Sequence, residues 1–115
     1  MSKRVVKLLL EDILECINSI QEYCNSISFE EFTSNRMVYQ ATIYNFNIIG
    51  EAASQVPEEY KLSNPQIEWR KIKDYRNVLV HEYFGINDLI VWDIIQFNLS
   101  DLKEKISHLF EIENK

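Results

Sequence analysis

The chain has 115 residues, a formal net charge of −6 and 46% hydrophobic residues. That length suits one domain over residues 1–115, with a core that removes roughly 65% of the unfolded surface from water. The apolar content excludes a disordered chain. The acid excess excludes RNA binding through the overall field, so any nucleic-acid role needs a local basic patch. Two glycines and two prolines leave little chain for turns and favour a few long helices.

In chain order, the spacing predicts a first helix from Lys3 to Cys24, with a stripe of Val5, Leu8, Leu9, Ile13, Cys16, Ile17, Ile20 and Cys24. Ser28 reads as the next N-cap, with Glu31 three residues on to close a capping box. A second helix then runs to about Val56, burying Val38, Ala41, Asn45, Ile48, Ile49, Ala52 and Val56, and Pro57 ends it. Residues 57–64 form a connector with room for one short helical turn. Asn64-Pro65 reads as a cap followed by a first-turn proline, opening a third helix that carries Ile67, Trp69 and Ile72 inward. It continues, with room for a bend, through Tyr75–Tyr83, and Gly85 stops it. Asn87 caps a last helix from Asp88 to about Glu111, which buries Leu89, Trp92, Ile95, Leu99, Leu102, Ile106 and Leu109. The expected architecture is all-α, an up-down four-helix bundle with a short extra helix.

Cys16 and Cys24 on one helix lie about 12 Å apart along the axis, beyond the ~7 Å that a disulfide tolerates. They read as reduced thiols of a cytoplasmic protein. No apolar run nears the ~20 residues of a membrane span, and the N-terminus has no signal-like apolar segment.

Chemistry concentrates in residues 70–83. Four of the 12 basic residues, Arg70, Lys71, Lys73 and Arg76, fall within seven positions. A solvated helix face explains such a run, and so does a phosphate site. On an ideal helix Asn77 and His81 stand ~40° apart, so Asn77 can orient the imidazole. Arg76 and His81 differ by ~140°, so a straight helix does not bring them together. Either the helix bends near His81, or the site is assembled from two chains across a twofold axis. An imidazole titrating near neutrality can deprotonate a ribose 2′-hydroxyl or protonate the leaving oxygen. A guanidinium stabilises the charge that builds on the phosphate. Two copies at a dimer interface supply a base and an acid. No metal-ligand spacing surrounds His81, and no cofactor is implied. Tyr75 can stack on a base or pack in the core, Trp69 and Trp92 read as core, and His108 reads as structural or solvent-facing. Gly50 in mid-helix suggests close helix packing, while Glu51 reads equally as an interface residue or a solvated one.

Arg76-Asn77-x-x-x-His81-x-Tyr83 resembles the Arg-x4-6-His motif of HEPN-domain ribonucleases, and its form is similar to the HepT-like branch. The resemblance extends over the whole chain. It includes Asp12-Ile13-Leu14-Glu15, Ser28-Phe29-Glu30-Glu31-Phe32, Ile48-Ile49-Gly50-Glu51-Ala52-Ala53, Trp69-Arg70-x-Ile72, Tyr83-Phe84-Gly85-Ile86 and Ile90-x-Trp92. One departure is Asp74-Tyr75, where family members often carry Gly-Met. The resemblance implies a homodimeric RNA endonuclease, the toxin of a type VII-like toxin–antitoxin system. Its antitoxin is an MNT-type nucleotidyltransferase that attaches AMP to the motif tyrosine, here Tyr83. Arg76 and His81 are then catalytic, Asn77 supports them, and Arg70, Lys71, Lys73 and Tyr75 are candidate RNA contacts. An AMP on Tyr83 adds bulk and negative charge and blocks RNA. The alternative is a non-catalytic HEPN module that docks a nucleotidyltransferase or a nucleotide.

Overall fold

The computed structural model describes the backbone of residues 3–81 and 87–115 and the side chains of residues 5–76 and 87–115. Its helices are α1 (Lys3–Cys24), α2 (Phe29–Ser34), α3 (Arg36–Gln55), α4 (Glu58–Ser63), α5 (Trp69–His81), α6 (Asp88–Asp93) and α7 (Leu99–Glu113). A π-helical turn, Ile94–Asn98, joins α6 to α7 without a break. No strand occurs among the described residues, so the fold is all-α and matches a HEPN-like bundle. No described helix is long and apolar enough to cross a membrane.

Helix α1 is the organising element, with α3 on one side and α7 on the other, and α5 packs on α3. Lys7, early in α1, lies over the ring of Phe110, late in α7, at 6.0 Å. Gln21, late in α1, donates to Ser100 Oγ, early in α7, at 3.2 Å. The two helices are therefore antiparallel. The core face of α1 is Val6, Leu9, Leu10, Ile13, Cys16, Ile17, Ile20 and Cys24. Val5 and Leu8 of the expected stripe are exposed instead. Counting back from Ile13 in steps of three and four reaches Leu10 and Val6, which displace them. Both cysteines are free and buried, and burial pushes the Cys16 thiol up to about 11, with Asp12 and Glu15 adding to it.

Ser26, at φ 63°, ends α1 in the left-handed region. The expected capping box then forms. Ser28 Oγ accepts from Glu31 N, and Glu31 Oε1 accepts from Ser28 N, each at 3.1 Å. The single helix expected from there to Val56 is two. Asn35 leaves helical geometry at ψ 97°, and its side chain accepts from Val38 N at 3.1 Å, capping α3 afresh. The inward face of α3 is also rotated by one position, to Thr42, Phe46, Ile49, Ala52 and Ala53. Thr42 tolerates complete burial beside Cys24 Sγ, 3.7 Å from its hydroxyl. Asn45 is only half-buried, with its amide donating to Ala41 O at 2.8 Å.

The connector holds α4, the short turn of helix expected there. Asn64 closes α4 instead of opening α5: its amide donates to Tyr60 O at 2.9 Å, and α5 begins at Trp69. Asn87 caps α6 as expected, accepting from Leu89 N and Ile90 N. Leu89, expected inside, is 59% exposed, and Val91 is buried in its place. The π turn widens the helix locally, so Val91, Ile95 and Leu99 keep one face at four-residue steps. Trp92 is half-buried against Phe29 and Phe32.

Candidate functional site

Helix α5 is fixed at its start by Trp69, whose indole N–H donates to Asn64 O at 3.1 Å and whose ring meets Tyr60 edge-on at 6.3 Å. Ile72 and Tyr75 turn inward, and Tyr75 packs edge-on against Phe46 of α3 at 5.8 Å. One residue further, α3 and α5 come closest. A methyl group at Gly50 would collide with Arg76 Cβ and sit 3.2 Å from Arg76 N and 3.3 Å from Arg76 Cα. Only glycine allows this approach, which offsets its cost of about 1 kcal/mol in a helix interior.

The approach delivers a charge pair. Glu51, the residue after Gly50, holds Arg76 through an Oε2–Nη1 contact of 2.7 Å. Both side chains stay accessible, 39% exposed for Arg76 and 49% for Glu51. Arg76 is thus a half-exposed cation anchored at a helix–helix seam, with Glu51 paired to one of its terminal nitrogens. Spacing within one helix carries no sign of this partner. The one available signal was an acid directly after a mid-helix glycine.

Arg70, Lys71 and Lys73 are all exposed on α5. Lys71 pairs with Glu68 at 3.8 Å, a contact that contributes little at such exposure. Tyr75 departs from the candidate RNA contacts. It is 7% exposed, and its hydroxyl is pushed up to about 12 by burial and then by Glu68. Its ring fills the α3–α5 core and has no face to offer a base. The backbone of α5 is helical without a break to His81. Positions 70, 73, 77 and 81 therefore fall along one line of the helix, within ~80°, while position 76 lies ~140° from position 81. The side chains of Asn77 and His81 lie outside the described residues, as do Tyr83 and Gly85 entirely. His108 is exposed on α7.

Burial of Tyr75 also shapes the space beside the site. Ile67, Ile72, Tyr75 and Leu102 line a cleft between α5 and α7 of about 50 Å³, too small for a nucleotide. Among the described residues, no group of three His, Cys, Asp or Glu side chains could hold a metal ion.

A family model described as Ribonuclease HepT-like matches residues 13–109. The chain is 36% identical over 106 residues to "Putative RNase MJ1380" of Methanocaldococcus jannaschii, covering 92% of this chain and 97% of that protein. It is 36% identical over 107 residues to "Probable ribonuclease HepT" of Thermococcus cleftensis, covering 93% and 97% respectively. A second protein of Methanocaldococcus jannaschii, "Putative RNase MJ0127", is 35% identical over the whole of this chain. No solved structure gives a significant match.

Proposed function

The chain belongs to the HepT-like ribonuclease family, and on that premise we propose that it is a metal-independent RNA endonuclease, the toxin of a type VII-like toxin–antitoxin system. The supporting observation is Arg76, a half-exposed cation held on Gly50 and Glu51 five positions before His81 on one unbroken helix. On an acidic chain, that helix also carries Arg70, Lys71 and Lys73 on its exposed surface.

Cleavage proceeds by attack of the ribose 2′-hydroxyl on the adjacent phosphorus. A neutral His81 takes the hydroxyl proton as the P–O bond forms, and a second His81, protonated, donates to the departing 5′-oxygen. The products are a cyclic phosphate and a free 5′-hydroxyl. Arg76 stabilises the charge on the non-bridging oxygens in the transition state. Asn77 orients the imidazole, and Arg70, Lys71 and Lys73 hold the flanking backbone. The ~140° between positions 76 and 81 on an unbroken helix favours assembly of the site from two chains across a twofold axis. Tyr83 is the control point, where an MNT-type nucleotidyltransferase antitoxin attaches AMP and the added charge repels RNA.

The test is His81→Ala. It abolishes cleavage of cellular RNA and growth inhibition while the helical content and melting temperature stay at wild-type values, and the wild-type protein cuts with EDTA present. Undiminished cleavage by the variant sinks the reading. A dimer that binds nucleotide or a nucleotidyltransferase and cuts no RNA identifies a binding module instead.

A further inference from the structure

We propose that Glu51 is a positioning residue for Arg76: it fixes the guanidinium so that its remaining donors meet the scissile phosphate. The inference rests on the ribonuclease reading above. The structural basis is the α3–α5 seam, where consecutive residues of α3 do two different things. Gly50 lets the α5 backbone in against Arg76, and Glu51 takes hold of the far end of the same side chain.

An unheld arginine is a poor electrostatic catalyst. Its long side chain has many rotamers, and that freedom is lost whenever it settles on a phosphate. Glu51 settles it beforehand, at 2.7 Å. A carboxylate can take only two of the five guanidinium N–H donors, so the rest stay directed elsewhere. The partial exposure of both groups leaves that outer edge within reach of a large anion.

The pair has an electrostatic cost that makes the idea testable. Glu51 subtracts a charge from a patch whose function is to attract RNA, so its removal leaves affinity intact or raises it. Chemistry responds in the opposite direction, because a guanidinium displaced by about 1 Å stabilises the transition state badly and can cost roughly 100-fold. A simple structural brace predicts neither split: its loss lowers stability and every activity together.

The experiment compares Glu51→Ala, Glu51→Gln and Glu51→Asp in the wild-type and Arg76→Ala backgrounds. Single-turnover cleavage, binding of a 2′-O-methyl RNA that cannot be cut, and thermal melting are read for each. Glu51→Ala and Glu51→Gln slow cleavage about 10- to 100-fold. Glu51→Asp recovers part of the rate. RNA affinity stays equal or rises, and melting is unchanged. In the Arg76→Ala background, Glu51→Ala costs nothing more. A wild-type rate for Glu51→Ala overturns the proposal, and so does an equal loss in both backgrounds. Nitrogen-15 NMR of the Arg76 side chain reads the positioning without activity: slow guanidinium rotation in wild type becomes fast in Glu51→Ala. Restricted rotation in a protein that cuts no RNA sinks the ribonuclease reading alone, whereas free rotation in the wild type sinks the positioning role alone.

Discussion

The α1–α7 seam and the α3–α5 seam are built on opposite principles. The first joins two antiparallel helices that each bury large aliphatic side chains, among them Ile13 and Ile17 on α1 and Leu102 and Ile106 on α7. The helices are kept apart by their own side chains, and polar contacts, Gln21 to Ser100 and Lys7 over Phe110, tie the two ends. In the second, Gly50 lets one backbone nearly touch the other, and the neighbouring Glu51 and Arg76 form an ion pair at the edge. Volume stabilises the fold at the first seam. Absence of volume locates a charge at the second. Changes to the apolar core of α1–α7 should therefore cost stability, and changes at Gly50, Glu51 and Arg76 should cost chemistry.

The largest expected effect comes from the first seam. Ile17→Ala removes a fully buried side chain and loses about 2–5 kcal/mol of stability in urea unfolding. Its cleavage rate, measured well below its melting temperature, stays within a few-fold of wild type. Loss of cleavage in the still-folded variant would break the contrast between the seams.

Gly50→Ala acts in the reverse proportion. It forces α3 and α5 apart at Arg76, costs about 1–3 kcal/mol, and lowers cleavage more than its stability loss accounts for. Full activity in this variant removes the reason for glycine at the seam.

Tyr75 sharpens the comparison through pH. Its hydroxyl is raised from 10 to about 12, first by burial and then by Glu68. Below pH 10 the ring is neutral both folded and unfolded. Between 10 and about 12 the unfolded chain loses the proton while the folded chain keeps it. Stability therefore declines through that window, by about 2 kcal/mol at its end. Tyr75→Phe has no proton to lose, and its urea midpoint falls less than that of wild type from pH 10 to 12. Parallel curves for the two proteins contradict the burial of Tyr75.

The smallest effect lies away from both seams. Ser28→Ala opens the capping box and costs about 1 kcal/mol, with the cleavage rate untouched.

What was legible in the sequence divides along similar lines. Ser28 with Glu31, and Asn87, were readable as caps because a cap is a hydrogen bond to the next few residues. The bounds of α1 were readable because one long stripe has one period. Asn64 is misread, and the break at Asn35 inside the expected second helix goes unseen, because an asparagine can cap the helix ahead or close the one behind, and tertiary packing decides which. Leu89 was misplaced by the π turn, which shifts the helix face without a marker in composition. Arg76 was legible as a chemical residue, but Glu51 was not legible as its partner. That contact depends on the register of α5 against α3, and no spacing along either helix encodes it. Tyr75 remained open between stacking and packing until Phe46 appeared against its ring.

The most direct test of a site needing one His81 as base and another as acid is cleavage by mixed dimers. Wild-type protein is unfolded and refolded together with increasing Arg-intact His81→Ala protein at constant total concentration. A shared site predicts that activity follows the square of the wild-type fraction, about a quarter at equal proportions. A linear fall to about half would contradict it, since each His81 would then be working without the other.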